Sequence, residues 1–184
     1  MSVKPLHCEL QPLLLDSLPK VEKVWGIALA SHLEKRKVAQ RMAKAAQEVS
    51  LKAGYHGSMQ IQYEDTALQP GAGLALFADL TAGSRLGADM AGAPGRRAEI
   101  IGKSVARQLL DEIKSGAAVD RHAADQIIPF AVLAKGYTRL RVAAATGHME
   151  SNAWLAREFF GVDVSVQDQM LAVSGICFRP THLL

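Results

Sequence analysis

Two stretches about twenty residues apart hold the residues best suited to chemistry, Arg121-His122-Ala123-Ala124-Asp125-Gln126 and Gly147-His148-Met149-Glu150-Ser151-Asn152. His148 falls between an expected strand end and an expected helix start, where free N–H groups and the helix dipole favour a phosphate. An imidazole at neutral pH is largely uncharged and nucleophilic, so His148 is a candidate nucleophile toward phosphorus. Asp125 and Gln126 bring a carboxylate and an amide that can hydrogen-bond ribose hydroxyls and base edges. With His122, Ala123 and Ala124 they occupy the first turns of a helix begun by Asp120. Pro129 lies inside that helix and cannot donate to the carbonyl of Asp125 four residues earlier, which leaves an acceptor for a ligand or water. Each feature also has a plain structural reading. A histidine after a glycine serves as an ordinary capping or loop residue, and an aspartate in a first helical turn is favoured by the dipole alone.

Such residues need elements to hold them. Residues 21–30 read as a strand leading into Ser31, a good helix N-cap, and a helix is expected over 34–53. On it Val38, Met42, Ala45 and Val49 recur at helical spacing, and Gly54 stands where a glycine stop belongs. Residues 59–64 alternate apolar and polar, as do 74–80 after a Pro-Gly loop, and the two are expected to pair as a hairpin. A glycine-rich, partly basic loop over 83–97 then leads to a second amphipathic helix with the stripe Ile101, Val105, Leu109 and Ile113. After Ser115-Gly116 the pattern restarts: a helix over 120–134, a strand over 138–144, a helix over 149–160, and strands over 162–166 and 170–178. The expected fold is α/β, an α+β sandwich: a small β-α-β-β-α domain over 1–117, then an α-β-α-β-β portion over 118–184.

Composition narrows the classes. Of 184 residues 49% are hydrophobic, enough for a sizeable core, and the net charge of +3 is compatible with a polyanionic partner. Cys8 and Cys177 lack the spacing of a disulfide framework or zinc site. The N-terminus has no secretory pattern and no apolar run approaches a membrane span, so a soluble cytoplasmic protein without a membrane partner is expected. His7, His32, His56 and His182 show no ligand spacing, and no acidic cluster points to a resident metal. Gly71-Ala72-Gly73 precedes a strand and lacks a third glycine, which makes it a turn, not a dinucleotide fingerprint. Arg139 and Arg141 share one face of the strand leading toward His148, where they either neutralise phosphate or form a solvated face. The same two readings apply to Lys35, Arg36 and Lys37 and to Arg96 and Arg97. An aromatic content of 5% leaves little for a base-stacking platform.

The two stretches around His122 and His148, with Ser115-Gly116-Ala117-Ala118-Val119-Asp120 before them and Leu155-Ala156-Arg157-Glu158-Phe159-Phe160-Gly161 after, resemble the C-terminal part of the RNA 3′-terminal phosphate cyclases. Ala30-Ser31-His32-Leu33, Val38-Ala39-Gln40-Arg41-Met42-Ala43 and Pro70-Gly71-Ala72-Gly73 fall in family-like order, so the likeness covers nearly the whole chain. The resemblance implies an inserted small domain over 1–117 and the end of the family's last α/β repeat over 118–184. It implies further that His148 attacks the α-phosphate of ATP, with magnesium arriving on the ATP. The AMP then passes to an RNA 3′-phosphate, and the 2′-hydroxyl closes a 2′,3′-cyclic phosphate. His122, Ala123, Ala124, Asp125 and Gln126 match the family's nucleotide-binding segment. Family members are about twice as long, and Ser151-Asn152 stands where many carry Thr-Asn. The expected partners are therefore an RNA 3′-phosphate end, ATP, and either a complementary N-terminal half or a second copy of the chain. The alternative implied by the resemblance is a non-catalytic, cyclase-like protein of RNA processing or ribosome biogenesis, although those relatives lack the histidine.

Overall fold

Two separate apolar clusters organise the chain. The computed structural model describes residues 8–81 and 83–179, in two units: 19–115, and 8–18 together with 116–179. His7 and His182 lie outside the described residues. The first element, the two-residue strand β1 (Leu14–Leu15), belongs to the second unit.

The unit 19–115 runs β2 (Val21–Ser31), a 3-10 turn (Glu34–Arg36), α1 (Val38–Lys52), β3 (Gly57–Tyr63), β4 (Gly71–Leu80), β5 (Arg85–Ala91) and α2 (Ala98–Ser115). Its sheet order is β3-β2-β4-β5, with β3 parallel to β2 and the other neighbours antiparallel. Alternate residues of β2 and β4, among them Val24, Ala28, Leu74, Leu76 and Ala78, turn inward to meet Met42, Ile101, Val105 and Leu109 from α1 and α2. The helices approach closely where α2 carries Gly102. A Cβ there would collide with the Met42 carbonyl and lie 2.9 Å from Ala45 Cβ.

Three expectations for this unit are corrected. First, β3 and β4 do not pair, because β2 lies between them. Alternation shows which face a strand buries but not which strand it joins. Gly26 on β2 makes the arrangement fit, since a side chain there would meet Met59 Sδ of β3 at 2.9 Å and the Ala75 carbonyl of β4 at 2.7 Å. Second, the loop expected over 83–97 contains β5, whose Leu86, Ala88 and Met90 alternate inward between small residues. Third, Ser31 is not an N-cap. It continues β2, and its Oγ donates to the Gln69 carbonyl at 3.2 Å. Helix α1 instead starts after Lys37, a left-handed residue at φ 51°. Its end is where the sequence places it, with Gly54 left-handed at φ 86°.

The second unit adds α3 (Arg121–Leu133), β6 (Lys135–Arg141), α4 (Gly147–Phe160), β7 (Val164–Gln167) and β8 (Met170–Ile176). The sheet order is β1-β6-β8-β7, with β1 parallel to β6 and the rest antiparallel. Leu140, Val142, Leu171 and Val173 form its inner face, against Ala124, Ile128 and Val132 of α3 and Met149 and Ala156 of α4. The sequence reading placed residues 1–117 together, whereas residues 8–18 group with the second unit. Leu14 and Leu15 pair with Arg139 and Leu140, the Leu10 and Leu13 carbonyls accept from Lys135 and Arg139, and Glu9 reaches Lys135 Nζ at 3.2 Å. The open edge of β6 offers hydrogen bonds that no sequence pattern advertises. Two α/β units, each a mixed sheet with two helices, make up the described fold. None of the described helices is long and apolar enough to cross a membrane.

Candidate functional site

Helices α3 and α4 open onto one cavity of 320 Å³, lined by His122, Asp125, Gln126, His148, Ser151 and Asn152. The arithmetic of the α-helix explains the set. His122, Asp125 and Gln126 stand at i, i+3 and i+4 on α3, and His148, Ser151 and Asn152 repeat that spacing on α4, so each triplet shares one helix face.

The start of each helix is built differently. On α3, Asp120 Oδ1 accepts from the amides of His122 at 3.0 Å and Ala123 at 2.9 Å, so a side chain caps the first turn. On α4, Thr146 Oγ1 accepts from the amide of Met149 at 3.2 Å. The Gly147 and His148 amides donate to no described residue, which leaves the positive end of α4 open beside the imidazole. The turn between β7 and β8 steadies the approach to α4. Asp168 and Gln169 are both left-handed, at φ 50° and 61°, as a two-residue hairpin turn of type I′ requires. Gln169 accepts from the Val142 amide at 2.8 Å through its carbonyl and donates from Nε2 to the Ala143 carbonyl at 3.1 Å.

Asp125 is buried, and its carboxylate meets no donor among the described residues. Its backbone carbonyl is not left free, which corrects the expectation drawn from Pro129. Asn152 Nδ2 donates to it at 2.9 Å, filling from α4 the place that proline leaves empty within α3. This bond ties the two helices together at the cavity.

The structure thus gathers His122, Asp125, Gln126 and His148. Ala123 and Ala124 do not line the cavity, and Ala124 is fully buried in the core. Arg139 and Arg141 do not line it either. Arg139 pairs with Asp16 at 3.3 Å, and Arg141 has a buried Nε without a hydrogen-bond partner. Ser151 and Asn152 were not among the expected site residues, although their helical spacing from His148 was the signal that could have found them. Among the described residues no group of three or more His, Cys, Asp or Glu side chains forms a metal cage.

His148, beside the open N-terminus of α4, and the Asp125 carboxylate thus line one cavity in an α/β unit. A family model for the RNA 3′-terminal phosphate cyclase insert domain matches residues 17–114. The chain is 34% identical over 172 residues to an RNA 3′-terminal phosphate cyclase of Caldivirga maquilingensis, covering 91% of this chain and 48% of that protein. It is 35% identical over 176 residues to one of Methanopyrus kandleri, covering 93% and 50%, and 40% identical over 149 residues to one of Korarchaeum cryptofilum, covering 80% and 42%. The chain belongs to the RNA 3′-terminal phosphate cyclase family. It spans about half the length of the curated relatives it matches.

Proposed function

We propose that the chain carries out the nucleotidyl-transfer chemistry of an ATP-dependent RNA 3′-phosphate cyclase through His148. One observation carries this reading: His148 stands in the first turn of α4, beside amides without partners among the described residues, and shares a cavity with Asp125, Gln126 and His122. A neutral ring nitrogen of His148 attacks the α-phosphorus of ATP, the bond to the bridging oxygen breaks, and pyrophosphate leaves. An oxygen of the RNA 3′-phosphate then attacks the same phosphorus and displaces the imidazole, which joins AMP to the RNA end. Finally the 2′-hydroxyl attacks the 3′-phosphorus, gives up its proton, and expels AMP as the 2′,3′-cyclic phosphate closes. Splitting the displacement in this way exchanges a poor leaving group for AMP.

The other lining groups suit the binding half of this task. The Asp125 carboxylate accepts from ribose hydroxyls, the Gln126 amide and the His122 ring offer hydrogen bonds to a base edge, and the Gly147 and His148 amides meet phosphate oxygen. Asn152 acts as a positioning residue through the Asp125 carbonyl. Magnesium would enter on the ATP triphosphate, and a reaction that consumes ATP fits a cytoplasmic setting. The test is to incubate the chain with ATP, magnesium and an RNA ending in 3′-phosphate. The end should become resistant to phosphatase with the parent chain and remain sensitive with His148→Ala. Equal resistance with both forms would remove His148 from the reaction.

A further inference from the structure

A second set of family-like stretches lies outside the His148 cavity, in the unit 19–115. Leu33, the segment holding Val38 and Arg41, and Pro70-Gly71-Ala72 are distant in sequence, yet together they line a cavity of 410 Å³. That volume is within the range of small-ligand sites, about 300–1,000 Å³.

The charge of this cavity is one-sided. Arg36, Arg41, Arg96 and Arg97 all line it. Glu99 is the carboxylate that engages them: it takes Arg41 in a two-point contact at 2.8 and 3.0 Å and stands 3.8 Å from Arg97. Among the described residues the Arg36 guanidinium has no ion-pair or hydrogen-bond partner, and Arg96 reaches only the Ala91 carbonyl, at 3.3 Å. Helix α2 starts at Ala98 on the cavity wall, which adds the positive end of its dipole to the arginines. The remainder of the lining is apolar, from Leu33, Val38, Ala72 and Ile101. Gly71 and Gly95 have open space where a Cβ would stand, so the rim presents bare backbone. Guanidinium forks match the geometry of phosphate oxygens, and apolar side chains beside them give a base surface to bury.

We propose that this cavity is a nucleotide subsite, taking one phosphorylated nucleotide unit with its phosphate on Arg36 and Arg96 and its base against Leu33 and Val38. The unit comes either as free nucleotide or within a single-stranded RNA. The subsite belongs to a different unit from His148 and does not rest on the nucleotidyl-transfer reading.

The experiment follows the fluorescence anisotropy of a labelled single-stranded oligoribonucleotide with the full chain, over a salt series, with AMP, adenosine, inorganic phosphate and unlabelled longer strands as competitors. Arg36→Ala with Arg96→Ala removes two exposed charges from the rim. Lys103→Ala with Arg107→Ala removes the same charge from exposed positions of α2 outside the cavity. The rim pair should weaken binding about tenfold and lower the slope of affinity against salt by about one to two. The control pair should stay near the parent. If AMP displaces the strand and adenosine does not, free nucleotides enter. If only longer strands compete, the subsite serves RNA, and either result supports the proposal. No binding by the parent chain, equal losses from both pairs, or an unchanged rim variant would overturn it.

Discussion

At the residue scale, the contact between Asn152 and the Asp125 carbonyl makes a test of how the site is held. Asn152→Ala leaves a partly buried acceptor without its donor, and a loss of about 1–3 kcal/mol in urea unfolding is expected. In a chain carrying Pro129→Ala, residue 129 regains an amide that can serve the same carbonyl, so Asn152→Ala should then cost clearly less. Equal losses in the two backgrounds would show that the side chain matters for another reason. Glu99 gives a pH test. The Arg41 hydrogen bonds, followed by a hydrogen bond from its own amide and the charges of Arg41 and Arg97, hold its carboxyl down at about 2 against an ordinary 4.5. A depressed carboxyl contributes stability above the ordinary value and loses it as pH falls from about 4.5 to about 2. Glu99→Gln should therefore flatten the acid limb of Tm against pH in that window, and a limb as steep as the parent's would contradict the pairing. His122, Asp125, Gln126 and His148 were legible as candidates, because helix starts and side-chain chemistry are local. The Asn152 contact was not, since its acceptor lies on another helix and is exposed only by a proline.

At the element scale, strands and helices were largely legible and partners were not. The stripes Val38, Met42, Ala45, Val49 and Ile101, Val105, Leu109, Ile113 mark α1 and α2 with the faces they bury. Two strands escaped for physical reasons: β5 intersperses its inward Leu86 and Met90 with Gly, Ala and Asp, which weakens its period, and β1 is too short to carry one. The neighbour of β3 was set by a crossover through α1, which alternation within β3 cannot encode. Gly102 shows the same limit. In sequence it is a weak spot in a helix, where alanine would add about 1 kcal/mol of helix propensity. In the fold it is the place where α1 passes, and the new methyl would strike the Met42 backbone. Gly102→Ala should lower stability by about 1–3 kcal/mol in urea unfolding. A more stable variant would mean that the helices do not meet there.

At the scale of the whole molecule, two cores built from separate sets of residues carry two cavities of different character. Leu140 is fully buried in the second core, and Leu140→Ala should destabilise it by about 2–5 kcal/mol. Amide hydrogen exchange should then quicken throughout 116–179 and change little over 19–115, whereas uniform quickening would show a single cooperative core. The proposed covalent joining of His148 to AMP is read by intact-protein mass spectrometry after incubation with ATP and magnesium. One AMP adduct is expected on the parent chain and none on His148→Ala. A parent chain without the adduct, or an adduct that survives His148→Ala, would contradict it.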